Sequence, residues 1–408
     1  MTFQIERLGH KGDGVALSVE GKPLFAQRVL PGEEVEARVN GDKLEDVRII
    51  TPSDNRVSPP CRHFKSCGGC SLQHASDGFV ASWKEGIVSN ALSAHGLEAE
   101  IRGILTSPPQ SRRRAALSAR RTKKGAMIGF HARGSDVLVE TPDCQLLRPE
   151  IQAMLPALRE VTILGASRTV ELTLHVTHSD AGLDVDVSGG KLLDEKLRIA
   201  LASWCQTPGI ARLSWDGEVV VEMRAPSQPF GAAQVTLPPR SFLQATREGE
   251  AHLVTQAQSI LKGAKQVLDL FAGAGTFALA LAGDAEVHAV EDSEAMLSAL
   301  DRGWRNAKGL KRVTTETRDL FRRPLMPDEL KRFDGVVIDP PRAGAEAQVR
   351  ELAGSEVKRI AMISCNPITF ARDARILLDA GYNLGAVQPV DQFRWSPHIE
   401  LCADFTRT

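Results

Sequence analysis

From about residue 246 onwards, short apolar segments alternate with helical segments at a regular spacing. The apolar segments read as strands and lie at 266–270, 287–291, 313–319, 333–339 and 359–364. Helical segments lie between them, for example 293–306 with Ser293 as the N-cap. A chain with this alternation folds into parallel βαβ units, with helices on both faces of one sheet. We therefore predict an α/β fold here, extended by an antiparallel edge hairpin from 384–390 and 399–406.

Two other sequence patterns precede this part of the chain. Residues 1–55 contain short alternating strands punctuated by glycine and proline, which predicts a small OB-like β-barrel. Residues 56–240 contain a cysteine-rich stretch and then alternating strands with isolated helices, which predicts a mixed α+β domain. The chain therefore divides into three predicted domains, at 1–55, 56–240 and 241–408.

The composition is that of a soluble globular protein, with 42% hydrophobic and 25% charged residues. The first residues do not combine a basic segment with an apolar run, and no apolar stretch approaches the ~20 residues of a membrane helix. The seven cysteines are an odd number, which in a chain without a secretory leader favours metal binding or catalysis over disulfides. We expect a cytoplasmic monomer without a membrane segment.

Positive charge is concentrated in one segment, although the net charge is only −1. Residues 101–135 contain no Asp or Glu. Their nine basic residues are Arg102, Arg112, Arg113, Arg114, Arg120, Arg121, Lys123, Lys124 and Arg133. A local basic field of this kind favours contact with phosphates, and hence with a nucleic acid. The alternative is a solvated basic face without a ligand.

A glycine-rich turn, 269–277, follows the first strand of the α/β part. Gly273 and Gly275 let the backbone approach a ligand closely at the carboxyl end of that strand. Glu291 ends the next strand, where an acid accepts hydrogen bonds from ribose hydroxyls, and Asp319 ends the third, where an acid can bind an adenine amino group. This set favours S-adenosylmethionine over NAD, because the turn departs from the dinucleotide pattern after its second glycine. Close helix–strand packing without a ligand is the alternative.

Two short motifs follow the fourth and fifth predicted strands. Asp339-Pro-Pro-Arg342 ends a buried strand, and its prolines leave carbonyl groups free for a ligand. The residue after the second proline is Arg342 and not an aromatic that would stack on an acceptor base. This disfavours methyl transfer to an exocyclic amine. The second motif, 364–367, is Ser-Cys-Asn-Pro and places Cys365 directly after the fifth strand.

Cys365 is the candidate nucleophile. C5 of a pyrimidine is too electron-poor to accept a methyl group unaided, whereas a thiolate that adds to C6 of uracil generates an enolate at C5. A base must then remove the C5 proton, and Glu400 is the candidate. An inert buried thiol is the alternative for Cys365. Cys402, two residues after Glu400, and Cys205 are expected to be packing residues.

Four further cysteines form a candidate metal site. They are Cys61, Cys67, Cys70 and the distant Cys144. Four thiolates can hold a [4Fe-4S] cluster or a structural zinc ion. Zinc sites usually combine two short Cys-x2–4-Cys segments. Three clustered cysteines plus one distant cysteine therefore favour an iron–sulfur cluster. We treat the neighbouring His63 and His74 as non-ligands and expect a structural role for the cluster.

Taken together, these motifs resemble the RNA uracil-C5 methyltransferase family, and in particular its iron–sulfur branch acting on 23S ribosomal RNA. The resemblance covers nearly the whole chain. It includes Ser241-Phe-Leu-Gln244, which is similar to the family's Phe-x-Gln motif, and His398-Ile-Glu400, which is similar to its His-Val-Glu motif.

The resemblance implies a fold and a set of roles. The 241–408 part would be a Rossmann-like class I methyltransferase domain, and the 1–55 barrel a TRAM domain that binds RNA. Cys365 would be the nucleophile, Glu400 the base, and Phe242 a neighbour of the target base. The cofactor S-adenosylmethionine would be bound by Gln244, Phe271, Gly273, Thr276, Glu291, Asp319 and Asp339. The [4Fe-4S] cluster would be bound by Cys61, Cys67, Cys70 and Cys144.

Two other functions stay open at this point. The first is methylation of tRNA instead of rRNA, which ranks lower because tRNA-specific relatives commonly lack the cysteine cluster. The second is an RNA-binding or assembly factor with an idle methyltransferase domain. Failure to bind S-adenosylmethionine in calorimetry would favour the second function.

Overall fold

The computed structural model describes residues 1–407, and its first part is a six-stranded sheet. The strands are β1 (Thr2–Gln4), β2 (Arg7–Leu8), β3 (Gly14–Leu17), β4 (Pro23–Ala26), β5 (Glu34–Asn40) and β6 (Lys43–Thr51), in the order β1-β5-β6-β4-β3-β2. In β5, Val35 and Ala37 point into the core while Glu36 between them is exposed. This is the period-two alternation that the sequence shows. The RNA-binding role of this part stays a prediction.

The middle part is built around a seven-stranded sheet. Its elements are α1 (Asp77–Ser93), β7 (Leu105–Thr106), β8 (Arg114–Arg121), β9 (Ala126–His131), β10 (Leu138–Glu140), α2 (Pro149–Ala153), α3 (Leu155–Gly165), β11 (Glu171–Ser179), β12 (Gly182–Ser188), α4 (Glu195–Trp204), β13 (Ile210–Trp215), β14 (Glu218–Glu222), β15 (Ser227–Phe230) and β16 (Ala233–Thr236). The sheet order is β10-β9-β8-β11-β12-β13-β14. Helices α3 and α4 share its apolar core, where the Trp204 indole donates to the Ala157 carbonyl at 2.9 Å. The predicted mixed α+β character is confirmed.

The last part is the predicted α/β layer. Its elements are α5 (Arg247–Ile260), β17 (Gln266–Leu270), α6 (Ala278–Leu281), β18 (Glu286–Glu291), α7 (Glu294–Asn306), β19 (Val313–Thr317), α8 (Pro327–Leu330), β20 (Gly335–Ile338), α9 (Glu346–Ala353), β21 (Arg359–Ser364), α10 (Pro367–Asp379), β22 (Asn383–Asp391) and β23 (Glu400–Thr406). Strands β17 to β21 are parallel, and β23 is antiparallel to β21. Ser293 caps α7 as predicted, since its side chain accepts from the Met296 amide.

The eight-stranded sheet corrects one prediction. Its order is β19-β18-β17-β20-β21-β23-β22-β7, so the hairpin of β22 and β23 is not at the edge. Strand β7 pairs in parallel with β22, with Leu105 opposite Val390 and Thr106 opposite Asp391. A two-residue strand carries too little pattern for the sequence to reveal it.

Helix α1 packs on this C-terminal layer, although the predicted 56–240 segment includes it. Val88 and Leu92 of α1 lie in the same apolar core as Phe370 and Leu377 of α10. Residues 77–106 therefore contact the C-terminal sheet through both α1 and β7.

At 17 residues α1 is short, and within residues 1–407 no helix combines the length and apolar character that a membrane crossing requires.

Candidate active site

The candidate catalytic residues meet at one edge of the eight-stranded sheet. Asp339 directly follows β20, and Cys365 directly follows β21. Because β23 is antiparallel to β21, its first residue, Glu400, lies at the same edge. Ser364 pairs with Leu401 in the register of these strands, so one further step places Cys365 opposite Glu400.

A rigid corner presents Cys365. The Asn366 side chain accepts from the Ile368 amide at 3.1 Å and so caps α10, while Pro367 occupies the first helical turn. The Asn366 amide group also donates to the Arg342 carbonyl at 3.0 Å. The sequence Cys-Asn-Pro therefore ends a strand, starts a helix and links the two predicted motifs.

The glycine turn adopts the backbone conformation that its glycines allow. Gly273 and Gly275 have φ of 54° and 94°, in the region that favours glycine. A Cβ atom on Gly275 would lie 2.7 Å from the Leu300 side chain. Glu291 supports the turn, because one carboxylate oxygen accepts from the Gly273 amide and the other from the Ser293 amide, each at 3.1 Å.

A cavity of about 570 Å³ lies at this edge of the sheet. Six of the seven residues that the sequence assigned to the cofactor line it: Gln244, Phe271, Gly273, Glu291, Asp319 and Asp339. Cys365, Glu400 and Phe242 also line it. Thr276, the seventh predicted residue, is not among the lining residues.

A second, larger cavity of about 1420 Å³ adjoins the first. Its walls come from the N-terminal sheet, from α1 and from the four cluster cysteines. The residues that line both cavities are Arg342, Cys365, Phe393 and His398. Cys365 therefore lies where the smaller cavity meets the larger one, a wide groove.

Burial shifts the acid–base groups of the site. Desolvation raises the pKa of Asp339 to about 7. It also raises the pKa of Glu400 to about 8, with a further contribution from the Asp339 charge. The pKa of the Cys365 thiol rises to about 11 through burial and the charges of Glu400 and Asp339. Any positive charge brought into the cavity would lower all three pKa values.

An amide network joins the two carboxyl groups. Gln392 is 2% exposed, and its Nε2 donates to Gln244 Oε1 at 2.5 Å and to Glu400 Oε1 at 3.2 Å. Gln244 Nε2 in turn donates to Asp339 Oδ2 at 3.3 Å. Gln392 was not predicted from the sequence, because residues 392–397 show no periodic pattern and lie outside the motifs described above.

A buried ion pair holds this loop from the other side. Lys84 of α1 is fully buried and lies 2.7 Å from Asp391. Its ammonium group also donates to the His398 carbonyl at 2.9 Å. Asp391 accepts from the Phe393 amide at 2.9 Å. The sequence signal for Lys84 is a lysine at helical spacing from the apolar residues Val80 and Val88.

The cysteine-rich segment contacts the same loop. The amides of Ser71 and Leu72, directly after Cys70, donate to the Trp395 carbonyl at 2.8 and 3.0 Å. Trp395 has φ of 60°, a conformation that is uncommon for residues other than glycine. The loop between β22 and β23 is thus fixed by two segments that precede it by about three hundred residues.

The basic segment 101–135 is not a single phosphate-binding face, which corrects the prediction for part of it. Arg113 is fully buried, lies 2.5 Å from Glu250 and donates to the Gln244 carbonyl at 3.0 Å. Arg114 lies over the Phe242 ring at 4.9 Å. Desolvation lowers the pKa of Arg114 to about 10. Arg113 directly precedes β8 and Arg114 begins it, and the partners of both side chains, Glu250 and Phe242, lie in the C-terminal part of the chain. Charge counting alone does not reveal these contacts.

The four cluster cysteines all line the larger cavity. Burial raises the pKa values of the Cys67 and Cys70 thiols, and the charges of Cys61 and Cys144 add to the effect. Across residues 1–407, no three His, Cys, Asp or Glu side chains are grouped closely enough to hold a single metal ion.

The two nearby histidines have other partners. His63 Nε2 lies 2.8 Å from the Asp143 carboxylate. His74 is buried against the Phe64 ring, and desolvation lowers its pKa to about 4. Of the remaining cysteines, Cys402 and Cys205 lie in separate apolar cores, as expected for packing residues.

Comparisons with known proteins identify the family of this chain. The family described as tRNA (Uracil-5-)-methyltransferase matches residues 233–407. An RNA methyltransferase of Rhizobium meliloti (strain 1021), named as uncharacterised, is 46% identical over 98% of both chains. The 23S rRNA (uracil(1939)-C(5))-methyltransferase RlmD of Halomonas elongata is 35% identical over 97% of this chain and 87% of its own.

A solved structure shows the same fold. The tRNA (uracil-54, C5)-methyltransferase of Pyrococcus abyssi, in complex with S-adenosyl-L-homocysteine, superposes with a TM-score of 0.77 at 21% identity, over 100% of this chain and 99% of that one. The fold is thus that of a class I methyltransferase. More specifically, the chain belongs to the RNA uracil-5-methyltransferase family.

Proposed function

We propose that this enzyme methylates C5 of a uridine in RNA through a covalent adduct between Cys365 and C6 of the base. The observation that carries the proposal is the placement of Cys365, opposite Glu400 and at the junction of the two cavities. The small cavity suits a cofactor and the wide groove suits RNA. A reacting base at the junction would reach both.

The proposed reaction uses two side chains of this protein. The Cys365 thiolate adds to C6, and the electron pair moves to C5, which takes the methyl group. Glu400, as the carboxylate, then removes the C5 proton, and the C6–sulfur bond breaks to return the thiolate. Both groups must lose their protons to act, and their raised pKa values show that a neighbouring positive charge would help.

S-adenosylmethionine is the proposed methyl donor. When bound, it would supply an electrophilic methyl group on a positive sulfur, and loss of that group would leave the neutral thioether S-adenosyl-L-homocysteine. Glu291 and Asp319 would hold its ribose and adenine, as their positions at successive strand ends imply. Asp339, whose charge acts on the Cys365 thiol, and Gln244, which donates to Asp339, would fix the end that carries the methyl group. The positive φ values at Gly273 and Gly275 support the fit, since other residues would strain the turn that lets the backbone approach a ligand closely.

We propose 23S rRNA as the substrate, because the Halomonas elongata relative acts on it and covers 97% of this chain. Residues 1–55 would act as an RNA-binding TRAM barrel, since this part contributes Arg7, His10 and Lys11 to the wide groove. Residues 56–240 would form the central domain and 241–408 the methyltransferase domain of a monomeric enzyme.

The test is covalent trapping on 5-fluorouridine RNA. Fluorine at C5 cannot leave as a proton, so the adduct should persist as a denaturation-resistant complex when a 23S rRNA transcript that contains 5-fluorouridine is supplied with S-adenosylmethionine. Cys365→Ala should form no complex, whereas Cys402→Ala, which removes a core thiol, should still form it. A complex with Cys365→Ala would refute the mechanism. A complex with tRNA but not with rRNA would overturn the proposed substrate.

We also propose that Cys61, Cys67, Cys70 and Cys144 bind a [4Fe-4S] cluster. Four thiols around one cavity fit a cluster, whose four sulfur ligands lie farther apart than those of a single metal ion. Anaerobic purification should give iron and sulfide in equal amounts, and Cys67→Ser should lose both while Cys205→Ser retains them. Stoichiometric zinc without iron would overturn the proposal.

A further inference from the structure

Gln392 makes three hydrogen bonds through one buried amide group. Its Oε1 accepts from the Ala245 amide at 2.7 Å, and its Nε2 donates to Gln244 Oε1 and Glu400 Oε1. The loop that carries it also carries Phe393 and His398, which line both cavities. Gln392 does not line the cofactor cavity, so it can affect the reaction only through the residues to which it is hydrogen-bonded.

The backbone fixes the direction of this network. The amide of Ala245 can only donate, so the oxygen of Gln392 must face it and the nitrogen must face the other way. Gln244 must then present its oxygen to Gln392 and its nitrogen to Asp339. These hydrogen bonds allow only one orientation of each side-chain amide. In an isolated glutamine, by contrast, the amide oxygen and nitrogen could exchange places.

The consequence is that both acids must accept hydrogen bonds. Asp339 accepts from Gln244, and Glu400 accepts through Oε1 from Gln392. The other charged or titratable groups that act on Glu400 are Arg114 and Arg342, together with the thiol of Cys365. A donor aimed at Oε1 favours the carboxylate form that a base requires.

We infer that Gln392 is a positioning residue for the proposed reaction, because it orients the base Glu400 and, through Gln244, the carboxyl group of Asp339. This inference rests on the proposed function. It assigns to a loop glutamine the task of keeping two buried acids in one hydrogen-bonded arrangement.

The test replaces the amide by a side chain of similar shape. With 23S rRNA transcript, Gln392→Met should lower kcat/KM at pH 7 by about tenfold or more, as expected when a hydrogen bond to a charged group is lost. The acidic limb of the pH profile should move up by about one pH unit, because Glu400 loses a donor that favours its charged form. The matched control is Gln388→Met, since Gln388 is buried in β22 but donates only to the Gly103 and Pro389 carbonyls.

A second readout separates positioning from simple loss of folding. Slow proton removal should make Gln392→Met accumulate a covalent complex with ordinary uridine RNA, whereas wild type and Gln388→Met should not. Gln392→Glu can still accept from Ala245 but cannot donate to Glu400 as a carboxylate, so it should behave like Gln392→Met or worse. A Gln392→Met enzyme with the wild-type pH profile and no accumulated complex would overturn the inference. Failure of the wild type to trap 5-fluorouridine RNA would instead overturn the proposed function.

Discussion

Glu400→Gln should make the protein more stable, and increasingly so as the pH rises. Glu400 is 3% exposed, and burial raises its pKa from 4.5 to about 8. In the unfolded chain this carboxyl ionises from about pH 4.5 upwards, whereas in the folded protein it ionises only near pH 8. The unfolded state therefore releases its proton first, and folding stability is lost over that interval.

The magnitude follows from the two pKa values. Their difference corresponds to about 5 kcal/mol when both states are fully ionised. Between pH 5 and pH 8.5, linkage predicts a loss of about 4 kcal/mol from this group in the wild type. Glutamine keeps the shape and an oxygen that can accept from Gln392 but never ionises, so the variant should escape this loss.

The assay is urea unfolding of wild type and Glu400→Gln at pH 5 and pH 8.5. Taking the difference between the two proteins at each pH removes the contributions of the other titrating groups that are common to both. The difference in the free energy of unfolding should grow by about 4 kcal/mol in favour of the variant. Glu98→Gln, which removes an exposed carboxyl, shows what the same substitution does without burial. A difference for Glu400→Gln that stays constant with pH would refute the reasoning.

Three further predictions address the site and its supports. Because Glu400 must be ionised, kcat/KM for 23S rRNA methylation should rise with pH toward about 8; a profile that is flat from pH 6 to pH 8 would contradict its role as base. Lys84→Met should lower the free energy of unfolding in urea by about 3–5 kcal/mol, since it leaves the Asp391 carboxylate buried without a cationic partner, and adding Asp391→Asn should restore part of the loss. Gly275→Ala should weaken S-adenosyl-L-homocysteine binding in calorimetry at least tenfold, because its Cβ meets Leu300 at 2.7 Å; unchanged affinity would show that the turn can yield.

The sequence predicts those parts of this protein whose signals are local. Strand–helix alternation reveals β17 to β21, because each element shows its own periodicity. Strand ends, and hence Glu291, Asp339 and Cys365, follow from the same reading. Glu400 was found only through chemistry that requires a base and through a motif resemblance. In each case a few consecutive residues contain the information.

The parts that the sequence did not reveal depend on long-range contacts. The β7 segment is a strand only because its backbone pairs with β22 in the folded protein. In the sequence, Arg113 is a candidate phosphate ligand, whereas in the folded protein it pairs with Glu250. Gln392 gains its role from Ala245 and Glu400, which approach it only in the folded chain. No pattern within a single segment distinguishes such residues from their neighbours.

The contacts of the loop between β22 and β23 also set the order in which the protein can be completed during synthesis. Lys84 and the His398 carbonyl are 314 residues apart in the chain, and β7 pairs with β22 over a similar separation. At ~5–20 residues per second, a ribosome needs roughly 15–60 s to make the intervening chain. Until then the Lys84 charge and the edge of β7 lack their partners. The segment from β22 to β23 therefore contributes to the active site and also supplies the last partners of the first hundred residues. A ribosome that stalls before this segment would leave the Lys84 side chain and the edge of β7 exposed.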